Sequence, residues 1–192
     1  VGITYPEIYE MQIRAVFEAL VELTKNKVKA HPQIMIPQIS SIAELNHIKK
    51  IYDRIKKETE SQHEMKLNIN FGTMIEVVRA ALTANELATT AEFFSFGTND
   101  LTQGTFSFSR EDVEGKFLSE YMEKELLERN PFQSIDVTGV GSLIKIGIAA
   151  GRGVRPNMEV GICGEHGGDP SSIKFCHGEG LSYVSASPHR IP

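Results

Sequence analysis

Residues 67–100 read LNINFGTMIEVVRAALTANELATTAEFFSFGTND, and the fold class turns on them. Leu67 to Ile75 predicts a strand closed by Glu76. Val78 to Thr90 predicts an Ala-rich helical stretch in which Thr83 and Glu86 form a capping box. Phe93-Phe94-Ser95-Phe96 predicts the next strand, ending at Gly97. Strand, helix and strand in succession make the unit of a parallel sheet with helices outside it.

The alternation extends in both directions. Upstream, Val1 to Ile3 is expected to be the tail of a strand. Pro6 opens a helix to about Asn26 with Ile13, Val16, Phe17 and Leu20 at helical spacing. Ile34-Met35-Ile36, closed by Pro37, is a short strand, and Ser41 with Glu44 forms a capping box before the stripe Ile48, Ile51, Tyr52 and Ile55. The lysines between those positions (Lys49, Lys50, Lys56, Lys57) are a solvated face. Downstream, a long excursion from Leu101 to Pro131 is expected to hold a helix near Glu120 to Arg129. Gly139 to Gly151 is helical, Val160-Gly161-Ile162 a strand, Asp169-Pro170 a capped helix start, and Leu181 to Ser185 a last strand. The result is an α/β fold of five to six parallel strands with outer helices, either doubly wound or part of a (β/α)8 barrel. A barrel has eight strands, so here it would be partial. No repeat or Gly/Ser linker divides the chain, and one domain is expected.

The 192 residues carry 20 Lys and Arg against 25 Asp and Glu, a net charge of −5, with 41% hydrophobic residues. That is a globular composition, and its mild acidity argues against a nucleic-acid or membrane-surface partner. Nothing approaches the ~20 apolar residues of a membrane span. Two cysteines form no disulfide framework and no four-ligand zinc pattern, so a reducing, cytoplasmic compartment is expected.

Three polar groups stand where strands give way to loops: Glu76, Asp100 and Cys163. Loops at strand C-termini build the active sites of parallel α/β folds. Glu76 and Asp100 lie one strand–helix unit apart, which places them on adjacent strands, where two carboxylates suit a hard cation such as Mg²⁺. Helix capping or a nearby lysine is the commoner account of either carboxylate taken alone. The Gly97-Thr98-Asn99-Asp100 turn either turns successive N–H groups toward an anion or is an ordinary strand end. Cys163 sits among Gly161, Gly164, Gly167 and Gly168. Its thiol can donate a proton, form a Cys–His nucleophile with His166, or fill space; Cys176 only fills space. Neither a G-x-x-x-x-G-K-[ST] loop nor a G-x-G-x-x-G fingerprint is present.

GTMIE, EFFSFGTNDLTQ, GVGSLIKI and above all VGICGEHGGDPSS with LSYVSASPHRIP resemble the C-terminal region of the pyruvate, phosphate dikinase family. The opening VGITYPEIYEMQIRAVFEA extends the likeness over essentially the whole chain. Phosphoenolpyruvate synthases and enzyme I of the phosphotransferase system share parts of these motifs. The resemblance implies the second half of a (β/α)8 barrel that binds phosphoenolpyruvate and pyruvate. It implies a reaction that interconverts ATP, phosphate and pyruvate with AMP, pyrophosphate and phosphoenolpyruvate. Carried over by motif, Glu76 and Asp100 hold Mg²⁺, Glu76, Gly97, Thr98, Asn99 and Asp100 contact the substrate, and Cys163 protonates the enolate carbon. The first barrel strands, with the arginines that grip the phosphoryl group, and the phosphohistidine and nucleotide domains are expected outside these residues. The isolated chain is therefore expected not to turn over the full reaction, and the full-length family is expected to be homodimeric. A phosphoenolpyruvate synthase, or a fragment that only binds ligand or a partner subunit, is the alternative. Val78 replaces the family's usual proline, Asp169 a common Glu, and Ala186 and His189 a Cys and an aromatic.

Overall fold

The computed structural model describes residues 1–191, so Pro192 of the last motif lies outside it. In chain order the elements are α1 (Pro6–Lys25), β1 (Gln33–Ile36), α2 (Ile42–His63), β2 (Asn70–Ile75), α3 (Val78–Leu82), α4 (Ala84–Leu87) and β3 (Phe93–Gly97). They continue with α5 (Thr98–Phe106), α6 (Arg110–Lys116), α7 (Leu118–Glu123), α8 (Val140–Val154), β4 (Glu159–Cys163), α9 (Pro170–Gly178) and β5 (Tyr183–Val184). Short 3₁₀ turns cover Glu165–Gly168 and Pro188–Arg190.

All strand pairs are parallel and each strand lies beside its neighbours in sequence, in the order β1-β2-β3-β4-β5. A doubly wound sheet reverses its strand order at a switch point; this one never does, so its crossovers keep to one face, as in a barrel wall. The register separates the two faces. Ile36, Thr73, Phe94 and Val160 form one outward row, and Ile75, Phe96, Ile162 and Val184 the next. They meet the helices closely: a Cβ on Gly151 of α8 would stand 2.7 Å from the Phe94 ring, and one on Gly147 2.9 Å from Phe96. The opposite face carries Met74, Ser95, Gly161 and Tyr183 in one layer and Gly97 beside Cys163 in the next. The glycines of that face admit their neighbours closely: a Cβ on Gly161 would stand 2.2 Å from the Tyr183 ring.

Several sequence expectations shift. Val1–Ile3 forms a turn, with Tyr5 N–H bonded to Val1 O, and not a strand. Leu67 and Ile69 are buried but unladdered, because β1 offers its first partner, Gln33, only to Asn70. The Val78–Thr90 stretch breaks at Thr83, whose N–H and hydroxyl both bond back to Arg79 O, so it ends α3 and forms no capping box. The helix expected at Glu120–Arg129 lies earlier, as α6 and α7. Val113, Leu118 and Phe132 bury there in a small core of their own, while Glu125 at φ 56° ends the helical run and Leu126 stays in solvent. Val78 takes the first position of α3, where a proline's missing N–H goes unused, so the turn keeps its form without the ring. Asp169 caps α9 by accepting from Ser172 N–H at 2.8 Å, the task of a short acidic side chain.

The Ser41–Glu44 capping box forms as expected. It anchors the Pro37–Ser40 loop at the tip of β1, which reaches into the site. Ser41→Ala is expected to cost about 1 kcal/mol of folding free energy, read by denaturant titration; an unchanged midpoint would contradict it. Among the described residues, no helix is long and apolar enough to cross a membrane.

Candidate active site at the strand ends

The C-terminal ends of β2, β3 and β4 bring Glu76, the Gly97–Asp100 turn and Cys163 together. Glu76 follows Ile75 and is 7% exposed, an unusual degree of burial for a carboxylate. It accepts the backbone N–H of Gln38 at 2.6 Å. Gln38 stands at the tip of β1 with φ 55°, a left-handed backbone that costs a non-glycine residue on the order of 1 kcal/mol. Its side-chain amide donates to Asp100 Oδ2 at 2.8 Å, and Gln103 donates to Asp100 Oδ1 at 3.0 Å. One residue thus ties both carboxylates. Nothing in its sequence context marks Gln38 except its position at a strand end.

Gly97 is what lets Glu76 approach. A Cβ there would lie 2.7 Å from Glu76 Oε2 and 2.7 Å from Met74 Sδ. Gly97→Ala is expected to displace the Glu76 carboxylate, and a Mg²⁺ held by it would bind about tenfold more weakly, within the 10–100-fold that support residues of metal sites carry. Calorimetric titration reads this, and wild-type affinity would contradict it.

Burial pushes the Glu76 carboxyl above the ordinary carboxylate range, the Gln38 N–H opposes this, and nearby Asp100 pushes it further up. Two carboxylates held together in this way are short of a positive charge. Among the described residues no group of three or more His, Cys, Asp or Glu side chains gathers, so a cation would rest on this pair. Mg²⁺ matches such a donor set, since it takes one or two carboxylates and fills its shell with water and substrate oxygens.

Cys163 is half-buried and faces the same layer. Its Sγ lies 3.6 Å from Phe96 O and 4.0 Å from Met74 Sδ. Burial pushes the thiol up, the Ser95 hydroxyl pulls it partly back, and the Glu76 charge adds to the rise. The sulfur is accordingly a protonated thiol at neutral pH. His166 is not its base: Nδ1 lies 2.6 Å from Thr98 Oγ1 and Nε2 2.8 Å from Pro131 O. The Cys–His nucleophile is therefore not formed. Cys176 is fully buried, as a space-filling residue should be.

The turn residues divide by exposure. Thr98 is 0% exposed and its hydroxyl lies between His166 Nδ1 at 2.6 Å and Cys163 O at 3.2 Å, so its side chain is occupied within the protein. Asn99 and Asp100 are half-buried. Gly97 offers no side-chain cap to α5, which leaves the first N–H groups of that helix without an internal acceptor. Beside Asn99 a cavity of about 430 Å³ opens between Gly164, Glu165, Ala186 and Arg190. Arg110 closes on the Cys163 loop with two 2.9 Å bonds to Glu165.

The family model described as "PEP-utilising enzyme, PEP-binding domain" matches residues 1–192. The chain is 54% identical over 192 residues to a pyruvate, phosphate dikinase of Entamoeba histolytica, covering 100% of this chain and 22% of that protein. It is 51% identical over 191 residues to a chloroplastic pyruvate, phosphate dikinase of Mesembryanthemum crystallinum, covering 100% of this chain and 20% of that protein. With the pyruvate, phosphate dikinase of Clostridium symbiosum it shares 49% identity over 192 residues, 100% of this chain and 22% of that protein. The chain thus spans about a fifth of the length of the curated relatives it matches. Among solved structures, a citrate lyase of Burkholderia xenovorans aligns with a TM-score of 0.55 at 13% identity, over 85% of this chain and 47% of that one, a likeness of fold.

Proposed function

The chain belongs to the PEP-utilising enzymes and matches their PEP-binding domain from end to end, and on that premise we propose that it is the substrate-handling part of a pyruvate, phosphate dikinase-type phosphotransferase. In this reading the five strands are the second half of a (β/α)8 barrel. Phosphohistidine and nucleotide domains elsewhere in the protein supply the phosphoryl group. The whole enzyme interconverts ATP, phosphate and pyruvate with AMP, pyrophosphate and phosphoenolpyruvate.

Glu76 and Asp100 hold Mg²⁺. A bound Mg²⁺ supplies charge stabilisation to the enolate oxygen and the phosphoryl group. Gln38, through its N–H and amide, keeps both carboxylates aimed at the same point. The N–H groups at the start of α5 and the Asn99 amide donate to the developing negative charge. Cys163 handles the proton at carbon. As a thiol it gives the proton to the enolate carbon and forms the pyruvate methyl; in reverse the sulfur takes that proton from pyruvate.

One observation carries the reading: two carboxylates tied together by Gln38 and a half-buried thiol share the ends of three adjacent strands. Its test is calorimetry with Mg²⁺ and oxalate, a planar mimic of the enolate. Mg²⁺-dependent oxalate binding is the expected result. Absence of heat beside an equally silent Glu76→Ala control would overturn the reading.

A further inference from the structure

The roles above leave several buried titratable side chains unused, Tyr52, Cys176 and His166 among them, and of these three His166 touches the site's turn. His166 is 0% exposed, three residues past Cys163. Pro131 O can only accept, so Nε2 carries the ring hydrogen at 2.8 Å. Burial holds the imidazole below its ordinary pKa, although Asp169, Glu165 and the Pro131 carbonyl pull the other way and Arg110 adds to the lowering. Nδ1 is then an acceptor, and at 2.6 Å it takes the one Thr98 hydroxyl proton in preference to Cys163 O at 3.2 Å. A single tautomer satisfies both bonds.

These bonds join three separate segments. Thr98 opens the turn that carries Asn99 and Asp100. His166 lies in the 3₁₀ turn that follows Cys163. Pro131 lies in the connection between α7 and α8. The loops are already in near contact, because a Cβ on Gly164 (φ 105°) would lie 3.1 Å from both Asn99 Oδ1 and Thr98 Oγ1. The β3–β4 pairing of Gly97 with Cys163 and the 3.2 Å approach of Thr98 Oγ1 to Cys163 O set the bases of the two loops, and the His166 bonds add the tie beyond them.

We propose that His166 is a positioning residue for proton transfer, a strut between Thr98 and Pro131 that sets where the Cys163 sulfur stands relative to the Asn99–Asp100 turn. The proposal rests on the reading of Cys163 as proton donor. It predicts an effect on the chemical step and not on substrate affinity. A misplacement of about 1 Å can cost on the order of 100-fold in rate.

The experiment uses the enzyme complete with its other domains and follows pyruvate and phosphoenolpyruvate turnover. His166→Phe keeps the bulk and removes both bonds. Its kcat is expected to fall about 10–100-fold, with KM for pyruvate and oxalate affinity within about twofold of wild type. His166→Asn retains an acceptor near the Nδ1 position and is expected to recover most of that loss. Cys163→Ala runs alongside. If Cys163→Ala keeps its turnover, the proton-donor reading fails. If Cys163→Ala is inactive while His166→Phe keeps wild-type kcat, the positioning proposal alone is overturned. A His166→Asn variant no faster than His166→Phe at equal melting temperature would also overturn it. Should His166→Phe not fold, ¹⁵N NMR of the wild-type ring decides. A ring that titrates below the ordinary imidazole range and carries its hydrogen on Nε2 when neutral is expected, whereas a ring titrating in the ordinary range, or with its hydrogen on Nδ1, would overturn the proposal.

Discussion

Glu76→Ala is expected to weaken Mg²⁺-dependent oxalate binding by about 100-fold or more. Residues that merely support a metal ligand are worth 10–100-fold in affinity, and a direct ligand in a two-carboxylate site is worth at least that. The geometry explains the severity. Glu76 is nearly sealed from water, receives the Gln38 N–H at 2.6 Å, and shares Gln38 with Asp100. No third acidic side chain among the described residues joins them. The same burial gives a pH signature. Because the Glu76 carboxyl is held above the ordinary range, Mg²⁺ affinity should fall as pH drops and should begin to fall before an ordinary carboxylate would titrate. The sign for stability is opposite. A carboxyl whose pKa is raised on folding contributes stability below its ordinary range, and that contribution is lost as pH rises through the raised value. A bound cation restores it. The gain in melting temperature on adding Mg²⁺ should therefore be larger at about pH 7.5 than at about pH 5, and in Glu76→Ala the gain should vanish. Equal gains at both pH values, or an undiminished gain in the variant, would remove Glu76 from the site.

Cys163→Ala carries the second large effect. A positioned general acid contributes about 10²–10⁴-fold, so turnover in the complete enzyme should drop by that factor. Oxalate affinity should stay within a few-fold, since in the proposed reading the thiol serves the proton at carbon and not the oxygens of the ligand. Burial raises the thiol, and Glu76 raises it further, against the opposing Ser95 bond. Activity in the direction that protonates the enolate should consequently persist into alkaline pH and fail only above the ordinary thiol range. Alkylation by iodoacetamide should be slow at neutral pH for the same reason. Fast alkylation at pH 7, or a Cys163→Ala variant with full turnover, would show that the thiol is not the donor.

Strands β2, β3 and β4 were legible because each is a short apolar run ending in a polar or glycine residue, and because helices of ordinary length separate them. The capping box at Ser41 and the cap at Asp169 were legible for a local reason: each needs only a residue and another three positions on. What local patterns do not contain was misplaced. Thr83 has capping-box spacing, yet its hydroxyl bonds back to Arg79 O because it also ends a helix. The run around Glu120–Arg129 has helical composition, but the small core of Val113, Leu118 and Phe132 draws the helices toward its start.

By itself the sequence determined the class of fold, the order of its elements and the residues at the strand ends, because periodicity, capping and motif spacing are properties of neighbours in the chain. Its motifs also pointed to Glu76, the Gly97–Asp100 turn and Cys163. The alternation of elements left a doubly wound sheet and a barrel wall open, the motif resemblance implied the barrel, and the tertiary structure supplied the unreversed strand order, since that order is set by which edges pair across long crossovers. It alone brought Gln38 to both carboxylates, buried Glu76 and Cys163 enough to move their protons, and withdrew His166 from Cys163 by giving it Thr98 and Pro131. Burial and distant hydrogen bonds depend on residues remote in sequence, and chemistry that rests on them exists only once the chain has closed around it.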